Sequence, residues 1–116
     1  MKEFLQKSLK DRSELSAKLL QNNSDRVPII LIFEKSRLNL MKNKYLCPID
    51  ITFVKFASQV RKQITDLNSQ QALFFFIGEK KIMPPPAAII YELYEKYKAE
   101  DNFLYIICTT ENCFGS

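Results

Sequence analysis

Histidine is absent from the 116 residues, and glycine occurs only at Gly78 and Gly115. Without an imidazole there is no Cys–His or Ser–His pair to activate a nucleophile, and without a glycine-rich turn there is no backbone cradle for phosphate. Cys47, Cys108 and Cys113 are odd in number and form no Cys-x-x-Cys pair, so neither a zinc site nor a disulfide framework is indicated. The acidic pairs Glu92 with Glu95 and Glu100 with Asp101 read as solvated helix and turn charges. No catalytic residue, metal or cofactor is therefore expected. Two places retain chemical potential. Cys113-Phe114-Gly115-Ser116 formally fits the C-a-a-X pattern of prenylation, although Gly115 is a poor aliphatic position and Thr109 to Asn112 supplies no polybasic second signal. Lys44-Tyr45-Leu46-Cys47, if it is an exposed edge strand, offers backbone groups that an extended peptide can pair with.

Charge narrows the choice of partner only in part. Seventeen Lys and Arg against thirteen Asp and Glu give +4, suited to acidic peptides, anionic lipid or nucleic acid. Residues 35–62 hold Lys35, Arg37, Lys42, Lys44, Lys55, Arg61 and Lys62 against the single anion Asp50, which predicts a basic face. With Tyr45 and Phe53 nearby, that face would permit a nucleic-acid footprint, but no recognition motif accompanies it and no nucleic acid is expected. The first residues carry no signal-peptide h-region, and no apolar stretch reaches the ~18 to 20 residues of a membrane span. Membrane attachment would have to be covalent or peripheral.

Stepping along the chain, residues 3–22 read as two short amphipathic helices broken near Asp11 to Ser13, with Ser13 capping the second. Val27 to Phe33 is a buried strand, with Pro28 tolerable near its start. A polar connection at 34–43 leads to an antiparallel partner at Lys44 to Cys47, ended by Pro48. Phe53, Phe56, Val60 and Ile64 predict a helix laid on a sheet, capped by Thr52. Leu73 to Ile77 is a strand, Gly78 to Lys81 a turn, Ile82-Met83 a short extended piece, Ala87 to Lys98 a helix after three prolines, and Phe103 to Ile107 the last strand. The two most apolar strands, at either end of this series, form the natural central pair of an α+β roll. Periodicity alone leaves a ubiquitin-like β-grasp and a ferredoxin-like sandwich both open.

Asp25-Arg26-Val27-Pro28, Lys44 to Pro48, Ala72 to Phe76, Glu100 to Ile106 and Phe114-Gly115 together resemble, in order and spacing, the GABARAP and microtubule-associated light-chain family, the autophagy-related protein eight modifiers. The resemblance spans nearly the whole chain. It implies a ubiquitin-like β-grasp with two additional N-terminal helices, divided into a helical extension at 1–24, a core at 25–108 and a flexible conjugation tail at 109–116. It implies that an autophagy cysteine protease cuts between Gly115 and Ser116, gripping Phe114. Gly115 would then pass through E1-like and E2-like enzymes to phosphatidylethanolamine. Glycine suits this transfer because a carbonyl without a neighbouring Cβ enters narrow active sites.

The resemblance further implies a peptide seat for cargo receptors and adaptors bearing acidic aromatic-x-x-aliphatic motifs. Leu19, Pro28, Ile30, Lys44, Leu46 and Phe103 would take the aromatic residue, and Tyr45, Cys47, Pro48, Ile51, Phe56 and Val60 the aliphatic one, with Arg26, Lys42 and Lys44 meeting the acidic residues. Arg61 would face a conjugation enzyme or the protease. The implied location is the cytoplasm, and the autophagosome membrane once lipid is attached. The chain departs from the family pattern at Leu9, where Phe is usual, at Cys47, where Val is usual, in a slightly shorter N-terminal segment, and in the connections at 34–43 and 78–81. Surface contacts in those two connections are not transferred.

Overall fold

The run Val27 to Phe33 is apolar at every position, which suits a strand covered on both faces. It forms the centre of the sheet in the computed structural model, which describes residues 5–33, 43–64 and 72–110. This strand, β1 (Arg26–Phe33), pairs antiparallel with β2 (Lys44–Pro48) and parallel with β4 (Leu104–Thr109), while β3 (Phe74–Ile77) pairs antiparallel with β4. The strand order is β2-β1-β4-β3. Among the described residues three helices flank it, α1 (Leu9–Asn22), α2 (Phe53–Lys62) and α3 (Ile90–Tyr97). A hairpin precedes the first crossover helix, which excludes the βαββαβ order of a ferredoxin-like sandwich. The topology is that of the β-grasp.

Alternation along β1 divides the interior. Val27, Ile29 and Leu31 face the main core with Phe56 and Val60 of α2 and Leu93 and Tyr94 of α3, whereas Ile30 and Phe103 face Leu15 and Leu19 of α1. Pro28 interrupts nothing. It opposes Leu46 at a position that exchanges no ladder bond with β2, and pairing with β4 begins only at Ile29.

The expected break at Asp11 to Ser13 does not exist. α1 runs through it, capped by Ser8 rather than Ser13, with the Ser8 hydroxyl accepting from the Asp11 N–H at 3.1 Å. The polar run that looked like an interruption is the first turn, where Asp11 faces the positive end of the helix dipole. Of the preceding helix expected from residue 3, residues 3 and 4 lie outside the described residues, Leu5 is helical, and the chain turns at Gln6 and Lys7 before Ser8, so the break falls there and Leu9 belongs to α1.

Thr52 does cap α2, accepting from the Lys55 N–H at 3.3 Å. α3 starts at Ile90 rather than Ala87, because the intervening backbone is committed elsewhere: the Pro86 and Ala88 carbonyls accept from Val54 and Phe53 at the head of α2. Its first amides, Ile90 and Tyr91, donate to the carbonyls of Ile51 and Ile49, which replaces a side-chain cap. The turn at 78–81 needs a left-handed residue at each end, Gly78 at φ 68° and Lys81 at φ 52°. β4 extends two residues past the expected Ile107, to Thr109.

α1 is fastened to the sheet by one polar hub. Asp101, 2% exposed, accepts from Arg12 Nε at 3.0 Å, from the Phe103 N–H at 3.0 Å and from the Tyr105 hydroxyl, while Ser16 Oγ donates to the Asp101 carbonyl. Removing one partner of such a buried pair costs on the order of 3 kcal/mol. Asp101→Ala is therefore expected to lower the unfolding free energy by about that amount in urea titration, and a loss below about 1 kcal/mol would remove the hub from the account.

Candidate functional site at the open sheet edge

β2 stands at the end of the strand order, with β1 as its single neighbour among the described residues. Antiparallel pairing alternates bonded and non-bonded positions. Leu31 N donates to Asn43 O at 2.8 Å and Ile49 N to Asp25 O at 3.1 Å, so Tyr45 and Cys47 turn their backbone groups to β1, whereas Lys44 and Leu46 turn theirs to the open side. The Leu46 carbonyl on that side accepts from Arg26 Nη1 at 3.3 Å.

Residues implied for the aromatic pocket share the α1 face. Register pairs Pro28 with Leu46 and Ile30 with Lys44, and Ile30 and Phe103 pack with Leu19. Ile30 and Phe103 are fully buried, Leu19 and Leu46 half-buried, and Lys44 exposed, so this group has a closed apolar floor and a cationic rim.

Residues implied for the aliphatic pocket lie on the opposite face, where a hollow of about 230 Å³ opens between β2 and α2. Tyr45, Cys47, Pro48, Phe56 and Val60 line it. Ile51 does not, and packs instead against the main core. Arg26 and Leu46 reach it as well, and so do Gln59 and Gln63, which the sequence reading missed. Helical spacing held the signal, since Gln59 and Gln63 fall three and seven positions after Phe56 on the same face. The Tyr45 ring meets Phe56 edge-on at 5.8 Å between centroids, and its hydroxyl donates to Gln63 Oε1 at 2.8 Å. Burial raises the Tyr45 pKa.

A larger hollow, about 740 Å³, lies beneath the start of α1, over Ile32, Tyr105 and Ile107 and beside the turn at Gly78. None of the expected site residues lines it. Arg61 sits half-buried on α2. Lys35, Arg37, Lys42, Cys113, Phe114, Gly115 and Ser116 lie outside the described residues. Among the described residues no cluster of His, Cys, Asp or Glu is set to hold a metal ion, and no helix is long and apolar enough to cross a membrane.

A mixed sheet built from a hairpin, a crossover helix and a central parallel pair, with its edge strand open, defines a ubiquitin-like protein. Residues 11–115 match the family described as "Autophagy protein Atg8 ubiquitin like", and the chain belongs to that family. It is 39% identical to Autophagy-related protein 8 of Dictyostelium discoideum over 112 residues, covering 93% of this chain and 88% of that protein. It is 42% identical to Autophagy-related protein 8 of Candida albicans over 106 residues, covering 90% and 76%. Among solved structures, Trypanosoma brucei ATG8 superposes with a TM-score of 0.82 at 32% identity, covering 94% of this chain and 93% of that one. Plasmodium falciparum Atg8, solved in complex with a P. falciparum Atg3 peptide, shares the fold with a TM-score of 0.79 at 23% identity, covering 91% and 93%.

The cysteine at the hollow is a buried free thiol. Burial pushes the Cys47 thiol up to about 12, with Arg26 opposing and Asp50 adding to the shift, and burial alone pushes Cys108 up to about 12. The folded state thus holds these protons after the unfolded chain has released them near 9.0. The associated stability is complete below pH 9 and is lost as pH rises toward 12. Peptide mapping after iodoacetamide treatment at pH 8 is expected to find Cys47 and Cys108 unmodified in native protein and modified in urea, and the urea midpoint is expected to fall between pH 8.5 and pH 10.5. Rapid native labelling of either thiol would contradict their burial.

Proposed function

We propose that this protein is a conjugated modifier that carries a peptide-docking edge to a membrane. An autophagy cysteine protease frees Gly115 by removing Ser116, with Phe114 as the handle. E1-like and E2-like enzymes then transfer the Gly115 carboxyl to phosphatidylethanolamine. The two acyl chains give the anchoring that a single chain does not, moving the protein from the cytoplasm to the autophagosome membrane. The division into extension 1–24, core 25–108 and tail 109–116 belongs to this reading, with the root of the tail moved to Thr110 because Thr109 closes β4.

The observation that carries the docking half is the position of β2. Its edge is open, and the apolar cluster of Ile30, Phe103 and Leu19 lies on one sheet face while the β2–α2 hollow lies on the other. Successive side chains of an extended peptide point to opposite faces, so two anchors three positions apart also point to opposite faces. An aromatic-x-x-aliphatic motif added beside β2 therefore delivers one anchor to each side. Exposed Arg26 and Lys44 give the β2 edge positive charge that would complement the acidic residues of such a motif, which favours encounter more than affinity. The Atg3 peptide in the P. falciparum Atg8 complex makes a conjugation-enzyme segment one candidate occupant beside cargo receptors.

Two experiments test the halves separately. Tyr45→Ala combined with Leu46→Ala is expected to abolish calorimetric binding of an acidic aromatic-x-x-aliphatic peptide while the circular dichroism spectrum is retained; unchanged affinity would refute the seat. Gly115→Ala is expected to remain soluble in cells where the parent chain becomes membrane-associated with a lipid amide on Gly115. Mass spectrometry finding a thioether on Cys113 instead would refute the lipid transfer.

A further inference from the structure

We propose that the Tyr45–Gln63 hydrogen bond sets the selectivity of the β2–α2 hollow, making Gln63 a positioning residue that admits an aliphatic anchor and turns away an aromatic one. This rests on reading the β2 edge as a peptide seat and goes further by naming what decides the second anchor.

The Tyr45 side chain crosses from β2 to a hydrogen-bonding partner at the C-terminal end of α2. Its backbone is fixed by the pairing with Ile29, its ring edge rests on Phe56, and its hydroxyl is tied to Gln63. The ring therefore stands as a wall of the hollow with Phe56 and Val60 beyond it. If it swung outward, the hollow would gain the space of a phenol ring and a guest aromatic side chain could reach that floor.

The acceptor is itself held. Gln63 is the C-cap of α2, with its N–H on the Val60 carbonyl at 2.9 Å, and the next residue, Ile64, is buried and bonded to the Arg61 carbonyl. The carboxamide thus projects from a fixed helix end. The raised Tyr45 pKa keeps the hydroxyl protonated as a donor through neutral and mildly alkaline pH.

Two peptides with the same acidic flank and aromatic anchor, one ending the motif in Leu and the other in Phe, test this by calorimetry on the full chain. The unaltered chain is expected to favour the Leu peptide. Losing a net hydrogen bond is worth about a five-fold change in an equilibrium, so Gln63→Leu and Tyr45→Phe are each expected to reduce the Leu-to-Phe affinity ratio about five-fold. The double variant is expected to reduce it no further, since both changes remove the same bond. Gln63→Glu, which keeps an acceptor oxygen, is expected to retain the ratio. An unchanged ratio in Gln63→Leu and Tyr45→Phe overturns the gate while leaving the seat intact. Failure of the unaltered chain to bind either peptide overturns the seat, and the gate with it.

Discussion

Parallel pairing of β1 with β4, from Ile29 opposite Leu104 to Phe33 opposite Cys108, is the constraint from which the other elements take their places. Two strands this apolar have to be covered on both faces. α2 and α3 cover one and α1 the other, and the shorter β2 and β3 are left to flank them. The open margin at β2 is thus a result of how the core is satisfied. Its two faces differ because the helices that cover them differ, and that difference supplies a separate environment for each side chain of a docked strand.

The helical layer on the α1 face is joined to the sheet differently from the layer opposite. α2 and α3 are held by large apolar side chains and by loop carbonyls that receive their first amides, whereas α1 contributes Leu15, Leu19 and the buried Ser16 and relies on the carboxylate of Asp101. Leu19, Ile30 and Phe103 serve both the packing of α1 and the floor beside β2. The polar hub and the docking surface are therefore linked through shared side chains, although Asp101 itself lines the other, larger hollow.

Much of this was legible in the residues. Unbroken apolar runs located β1 and β4, the helical spacing of Phe53, Phe56, Val60 and Ile64 located α2, and Thr52 announced its cap. What stayed hidden had no local signature. Asp11-Arg12-Ser13 has the composition of a turn, and only Ser8 in place shows it to be the opening of a helix. The delayed start of α3 follows from backbone bonds to α2 that no side chain advertises. At the site, five residues of the second group came together through the resemblance, but Ile51 turned inward to the core, and Gln63 was one amide among many until its partner Tyr45 was seen across the gap.

β4 is the last of the described strands to be synthesised and one of the two innermost. A nascent chain leaving the ribosome can pair Ile29 with Tyr45 in the β1–β2 hairpin, but the other edge of β1 has no strand until Leu104 emerges, so the core beneath hairpin, α1 and α2 stays incomplete until then. Translation that halts short of that point releases a molecule whose central strand β1 lacks its partner on one side, open to chaperones and proteases.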